Sequence, residues 1–596
     1  MAFSRAAAVR LPSRSILPSS VSLGITPAPR APRVRGGATA QSTQASPPPP
    51  PPPSTPRGTS SSKLALAVYT LLGAVIGGGA VQYILDTSSP QHGYGSQRAP
   101  TISGLNEKYG SPADFESAIG ELRAALPADG VVSTDADDLE HHGFSYNDYH
   151  PGSSPTVVVY PSSTADVVAI VNISRKWRMP VIPYSGGTSL EGHFRAPSGG
   201  AICVDMSRMD KILEIHEADS DLVCQPGVHW MDINSALKKQ GIPLFFPIDP
   251  APGATIGGMV STGCSGTNAV RYGTAKGEWF LNLTVVLPNG EVIKTRRRSR
   301  KSSAGFDTTK LFIGAEGTLG IITEVTLRLA PLLPTNVAVV QFPDVRRATE
   351  AVKEIVNSGV GIQCIELCDD AFMRATNAYG MSARKWPELD SLFFKFQGPS
   401  AASLQETAGI VRRIAERHGG TGFALARSER EAEDLWQDRK NALYSSLALA
   451  PGARGWSTDV CVPVSRLPDL VYGTKKDIEA SGLVSTIVGH VGDGNFHALL
   501  LFKTDEELAV ARGLVHRMVE RAIALDGTCT GEHGVGIGKR EFLYEELGAG
   551  TVELMKTIKR TLDPLNLFNP GKLYPDALQA GKKPHLVAGA GAAQSG

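Results

Sequence analysis

A β-branched apolar run at residues 484–488 and a second apolar run at 496–502 bracket the sequence His490-Val-Gly-Asp-Gly-Asn-Phe-His497. Gly492-Asp-Gly-Asn495 is hairpin-turn chemistry, so the chain must reverse here and set His490 and His497 on neighbouring strands. That closure brings the two imidazoles near enough to share one ion. Further on, Thr530-Gly-Glu532-His533-Gly-Val-Gly offers a third ligand in Glu532, giving a His/His/carboxylate site with open positions. His533 is then left beside the ion, free to move a proton. The alternative is a pair of hydrogen-bonded structural histidines in a glycine-rich turn. A ligand set of this type suits zinc or manganese.

At 596 residues the chain is long enough for two or three domains. A net charge of +1 carries no general nucleic-acid footprint. The seven cysteines are scattered without Cys-x-x-Cys or Cys-x-x-Cys-His. This argues against a zinc ribbon, a dithiol redox motif, covalent c-type haem or a disulfide framework.

No acidic residue precedes Asp86, while Arg5, Arg10, Arg14, Arg30, Arg33, Arg35 and Arg57 are interspersed with Ser, Ala and Pro. That is the composition of an organellar transit peptide. Residues 47–53 are a polyproline spacer. Residues 64–85 form an uncharged, mostly apolar stretch of bilayer-spanning length, between Lys63 and Asp86. It reads as a single membrane anchor; a buried core helix is the alternative, weakened by Gly77-Gly78-Gly79.

The folded body shows alternating strand and helix signals. Residues 156–160 read as a strand, Thr164 caps a helix to about Arg178, and residues 181–184 form a second strand. That strand ends in Ser185-Gly186-Gly187-Thr188-Ser189-Leu-Glu-Gly192, whose successive N–H groups can form a pyrophosphate nest. It lacks the G-x-G-x-x-G spacing of a nicotinamide site. A second glycine-rich stretch runs Pro252-Gly-Ala-Thr255-Ile256-Gly257-Gly258 and on through Thr262-Gly-Cys-Ser-Gly266-Thr-Asn268. Small residues at this density let backbone approach a flat ligand. A third, Gly314-Ala-Glu-Gly-Thr-Leu-Gly-Ile321-Ile322-Thr-Glu324, turns straight into a strand. The basic run Arg296 to Lys301 reads as a solvated loop, with contact to anionic lipid as the other use of such charge.

These three segments resemble the flavin domain of the vanillyl-alcohol-oxidase or cresol-methylhydroxylase type. The paired His motifs and the closing Leu562-Asp-Pro-Leu-Asn-Leu-Phe-Asn-Pro-Gly-Lys572 are similar to that superfamily's D-2-hydroxyacid dehydrogenase branch. The resemblance covers roughly residues 130–576. It implies an α+β fold: a two-subdomain FAD-binding domain plus an α+β substrate cap, behind a transit peptide and a single transmembrane helix. The expected divisions are leader and linker 1–62, anchor 63–86, linker and start of the flavin domain 87–150, FAD-binding domain 151–332, cap with metal site 333–560, returning segment 561–580 and disordered tail 581–596.

The resemblance further implies that residues 185–189 hold the FAD pyrophosphate. Thr255 to Gly258, Thr262, Gly266, Asn268, Ile321 and Ile322 would line the flavin. Thr188 stands where some relatives carry a flavin-tethering His, so FAD should be non-covalent. Ala315 stands where Ser is usual, removing a donor. Arg439 on a helix and Arg454 in Gly452-Ala-Arg-Gly-Trp456 are expected to grip the substrate carboxylate through planar two-pronged contacts. His533 would be general base, with hydride passing from C2 to flavin. D-lactate is the expected acid and cytochrome c the acceptor, in the mitochondrial inner membrane with the catalytic body in the intermembrane space. D-2-hydroxyglutarate or glycolate are alternatives on the same fold, as is an ether-lipid synthase. A metal hydrolase or an inactive membrane-anchored binding module is the reading from another class, and it leaves the three flavin loops unexplained.

Overall fold

The computed structural model describes residues 109–145 and 148–577. The expected leader, the 64–85 anchor and the 581–596 tail lie outside the described residues. Among the described residues no helix is long and apolar enough to cross a membrane.

The N-terminal lobe carries two main sheets. The first has four strands in the order Val132–Ser133, Val157–Val159, Ile202–Asp205, Val181–Tyr184, the last three parallel. Val157–Val159 and Ile202–Asp205 are buried along their whole length, as parallel strands covered on both faces must be. Helix Thr164–Trp177 buries Val167, Ile170 and Val171 in this core. Its cap is Ser163, not Thr164. The Ser163 hydroxyl accepts the Asp166 N–H while the Asp166 carboxylate accepts the Ser163 N–H, a reciprocal box that leaves Thr164 as the first helical residue.

The second sheet is antiparallel, in the order Ile212–His216, Asp221–Cys224, Ile321–Arg328, Phe280–Val286, Val292–Lys294. Side chains alternate across a strand, so Ile321 enters the core of the first sheet and Ile322 that of the second. This one strand therefore joins both cores. Residues 296–301 form a surface loop, pinned where Arg298 donates to Asp219 and Asp221.

The second lobe is built on an eight-stranded antiparallel sheet. Its order is Thr421–Leu425, Thr335–Phe342, Asp390–Gln397, Ile362–Cys368, Ser485–Gly489, Asn495–Phe502, Arg454–Ser457, with Val460–Cys461 also pairing to Asn495–Phe502. On one face Phe394, Phe396, Ala498, Leu500 and Phe502 pack with helices Val345–Asn357, Ala401–Arg417, Leu467–Ser481 and Asp505–Ala524. On the other, Cys364, Cys368, Phe393 and Val488 meet Trp436 of helix Glu429–Lys440 and Phe372 of helix Asp370–Tyr379. That second face carries the site.

After helix Leu543–Leu562 the chain returns to the first lobe. Phe568 bridges Val181 in parallel, and the Val181 N–H donates to Leu567 O. The buried Lys559 ammonium donates to Asp563 and to the Thr318 and Phe568 carbonyls. Asn569 donates to the carbonyls of His193 and Glu316.

Candidate active site

The hairpin forms between Ser485–Gly489 and Asn495–Phe502, with Val488 opposite His497. Its turn is a short 3-10 segment, Val491–Asp493, closed by Gly494 at φ +82°. A Cβ at Gly494 would collide with the Val462 carbonyl, so glycine is required there. His490 and His497 meet edge to face at 5.3 Å. Both Nε2 atoms lie 3.1 Å from Glu532 Oε1. One donor atom from each of the three residues falls within 4.8 Å of the others, a spacing one ion can span.

The outer ring nitrogens are occupied. Nδ1 of His490 lies 2.9 and 3.0 Å from the Glu366 oxygens, and Nδ1 of His497 lies 2.9 Å from the Thr458 carbonyl. Acceptors at Nδ1 fix the proton there and turn Nε2 inward, the orientation a metal-binding imidazole needs. Burial opposes the charged form of His490, but Glu366 and Glu532 outweigh it and hold its pKa well above the ordinary value. Burial likewise opposes the Glu532 carboxylate, yet His490 and His497 hold its pKa well below the usual range. A bound divalent cation would supply the same positive charge with both imidazoles neutral.

His533 stacks on His497, centroids 5.0 Å apart and planes at 12°. Its Nδ1 is buried with no hydrogen-bond partner among the described residues. Burial lowers its pKa, so it is neutral and can accept a proton. The buried Asp459 carboxylate receives the N–H groups of Glu532 and His533 and fixes that segment. Burial would raise Asp459, but His533 and His497 bring it down to about 2.

Arg439 is on the last turn of its helix, buried, and donates to Glu366 at 2.6 Å. Glu366 therefore ties Arg439 to His490. Arg454 is not in the site. It pairs with Phe502, five residues along the strand from His497, about 17 Å away and on the opposite face. Its guanidinium lies over the Phe502 and Tyr149 rings and 3.8 Å from Asp505, largely exposed.

The flavin loops converge on the same region. Thr255 donates to the Ser185 hydroxyl at 2.8 Å, and a Cβ on Gly186 would run into the Gly253 carbonyl. Ser185, Gly227, Val228, His229 and Thr255, with Asp210 and Asp232, line a cavity of about 170 Å³ between the loops. Farther along, Asn268 donates to Pro247 O, and Gly266 packs where any side chain would strike Asp249. Ser265 donates to Glu532 Oε2 at 2.7 Å, joining the second loop to the ligand cluster. Thr262 donates to Gly258 O within its own short helix. Ile321 and Ile322 bury their side chains in the cores, leaving only backbone for any flavin contact. Glu191 Oε1, His193 Nδ1 and Lys539 Nζ are buried without hydrogen-bond partners among the described residues, while His193 Nε2 lies 3.2 Å from Glu316. The cavity has room for only a part of FAD beside the first loop, and it is the glycine loops, with buried polar atoms left over near them, that suit the rest of the cofactor.

Glu366, Asp459 and Ser265 were missed by sequence reasoning. Glu366 had a signal: a lone carboxylate inside the otherwise uncharged strand Ile362–Cys368, where a buried charge demands a partner.

Residues 155–296 match the FAD binding domain family, and residues 334–573 match the C-terminal domain of FAD linked oxidases. Among solved structures, p-cresol methylhydroxylase with substrate bound superposes with a TM-score of 0.64 at 17% identity, covering 80% of this chain and 99% of that one. Alkyldihydroxyacetonephosphate synthase gives 0.60 at 19% identity, covering 81% and 90%. At such identities the likeness shows the fold: this is a flavoprotein fold of the FAD-linked oxidase type. The sequence likeness is closer to mitochondrial D-lactate dehydrogenase [cytochrome]. The Arabidopsis thaliana protein is 44% identical over 461 residues, 77% of this chain and 80% of that protein. The Kluyveromyces lactis protein is 41% identical over 523 residues, 85% and 90%. The chain belongs to the D-lactate dehydrogenase [cytochrome] family.

Proposed function

We propose that this chain oxidises D-lactate to pyruvate and delivers the electrons to cytochrome c. The observation that carries the reading is the His490–His497–Glu532 cluster, bonded through Ser265 to the second flavin loop and flanked by the neutral His533. When bound, FAD supplies the hydride acceptor, and a zinc or manganese ion on the three ligands supplies Lewis acidity toward the 2-hydroxyl.

The protein's own groups do the rest. His533 takes the hydroxyl proton at a ring nitrogen held beside His497 by stacking and by the Asp459 anchor on its backbone. Glu366 holds His490 in its inward tautomer. Arg439 lends positive charge to the carboxylate side of the pocket.

The Arg-rich leader and the names of the relatives support a mitochondrial location. Residues 64–85 are read as an inner-membrane anchor, with the catalytic body in the intermembrane space and cytochrome c as a soluble acceptor. Deleting them should release active enzyme into solution; a truncated protein unable to bind FAD would mean that they belong to the core.

The deciding experiment is anaerobic titration of the purified yellow protein. D-lactate should bleach the flavin, ferricytochrome c should restore its colour, and dialysis against a strong chelator should stop bleaching while leaving FAD bound. Faster bleaching by glycolate or D-2-hydroxyglutarate would move the substrate assignment. No bleaching by any of the three acids would overturn the dehydrogenase reading.

A further inference from the structure

Arg454 lies on the wrong face of the sheet, and Arg439 already serves Glu366. A small acid still needs a cation for its carboxylate. We propose that Lys395 binds the carboxylate of the 2-hydroxy acid, in the place expected for Arg454. The inference rests on the dehydrogenase reading above and extends it to substrate recognition.

Lys395 lies on strand Asp390–Gln397, opposite Cys364 on one side and Val337 on the other. Those two residues belong to the face that carries the site. In the same register Glu366 pairs with Phe393, which makes Lys395 its diagonal neighbour, about 7–8 Å away between Cα atoms. The Lys395 ammonium lies 5.5 Å from the centroid of the Trp436 ring. Trp436 precedes Arg439 by three residues on one helix, so the two share a side of it. Lys395 and Arg439 thus flank the same indole.

The ground between them is unsatisfied. Lys395 makes no ion pair with a carboxylate among the described residues. The buried Asp249 carboxylate, on the flavin side, feels the Lys395 charge but forms no ion pair with it, its hydrogen bonds coming from the Thr267 hydroxyl and the Asn268 N–H. The Arg439 Nε is buried without a partner among the described residues. A partly buried lysine whose ammonium lies over the Trp436 ring, on the sheet face that carries Glu366, together with the unspent Arg439 N–H on the helix that bears that ring, brings surplus donors and positive charge to the site-bearing face. One carboxylate settles both: the lysine as a compact point charge, the arginine as a directional donor. Packing of the lysine stem on Trp436 alone would leave the ammonium in water.

The test uses the FAD-loaded full chain. Pyruvate is titrated against the oxidised enzyme and followed by perturbation of the flavin spectrum, a binding readout independent of turnover. Lys395→Met should raise the pyruvate Kd and the D-lactate KM by about 10- to 100-fold, the usual worth of a hydrogen bond to a charged group. Its kcat should stay within about threefold of wild type, because uniform binding is what is lost. Lys395→Arg should restore most of the affinity. Lys395→Gln keeps the strand and a polar tip, and it stands in should the Met variant fail to retain FAD; it should show the same loss. Wild-type pyruvate affinity and KM in either neutral variant would reduce Lys395 to a packing residue. If D-lactate fails to bleach the wild-type flavin, the parent reading falls instead, so the two failures are separable.

Discussion

Ser265 and Glu532, separated by 267 residues, are joined by a 2.7 Å hydrogen bond in which the serine hydroxyl donates to Oε2. The bond leaves Oε1 facing His490 and His497. It links a glycine-rich loop of the flavin lobe to the ligand cluster of the cap. Ser265→Ala should keep FAD and fold normally, but weaken metal retention by about 10- to 100-fold, as loss of an outer-shell partner does. Metal content after graded chelation, with the flavin spectrum as control, gives the answer. Unchanged retention would make the contact incidental.

The adjacent Glu532 and His533 have separate tasks under the proposed mechanism. His533→Ala should retain both FAD and metal and slow flavin reduction by about 10² to 10⁴-fold, the contribution of a positioned base. High pH should partly rescue it, since hydroxide can replace the missing acceptor. Glu532→Ala should lose metal and raise KM as well as lower the rate. A metal-free His533→Ala protein, or one reducing flavin at the wild-type rate, would mean another proton acceptor.

Glu366 is fully buried between Arg439 and His490. Glu366→Gln keeps the volume but strands the arginine charge in the interior. Removing one partner of a buried pair costs about 3–5 kcal/mol, so the variant should melt well below wild type. Calorimetry on the FAD-loaded protein would test this, and Glu366→Asp should recover part of the loss. A melting temperature within a degree or so of wild type would show that the amide oxygen satisfies Arg439 as well as the carboxylate does.

His142, packed on Tyr184 in the flavin lobe, gives a pH-dependent stability term. Its Nε2 lies 2.9 Å from Asp205, and its Nδ1 lies 2.7 Å from the Asp138 carbonyl. Burial disfavours the imidazolium, but the Asp205 and Asp138 contacts prevail and raise its pKa. A raised folded-state pKa means the stabilisation is complete below the unfolded value, about 6.5, and fades as pH rises through the folded value. The melting temperature gap between wild type and His142→Gln should therefore be widest in mild acid and narrow in alkaline buffer. A gap that widens toward alkaline pH contradicts this assignment.

Much of the site was legible because it is local. The hairpin holding His490 and His497 closes between Ser485 and Phe502, and each glycine-rich loop is one continuous stretch. What escaped was set by register and by distant pairing. Arg454 was expected at the substrate carboxylate, but it opens a strand whose pairing with Phe502 points it away from His497. Glu366 meets His490 across 124 residues, a partnership that no pattern in either segment reveals. The helix cap was displaced by one residue for a simpler reason: Ser163 and Thr164 are both good caps, and Asp166 is spaced to close a box only with the former.

The returning segment has a consequence for how the chain is made. Val181 takes Leu567 and Phe568 as its neighbours, and Lys559 grips the Thr318 carbonyl. The first sheet therefore lacks its edge contact until nearly the whole chain has left the ribosome. Domains generally fold as units in the order of synthesis; here the earlier lobe must wait, partly open, for the last to arrive. A nascent chain arrested before residue 560 should accordingly remain protease-sensitive in the 155–296 region and acquire resistance only once the final segment is released. Its maturation is paced by its tail.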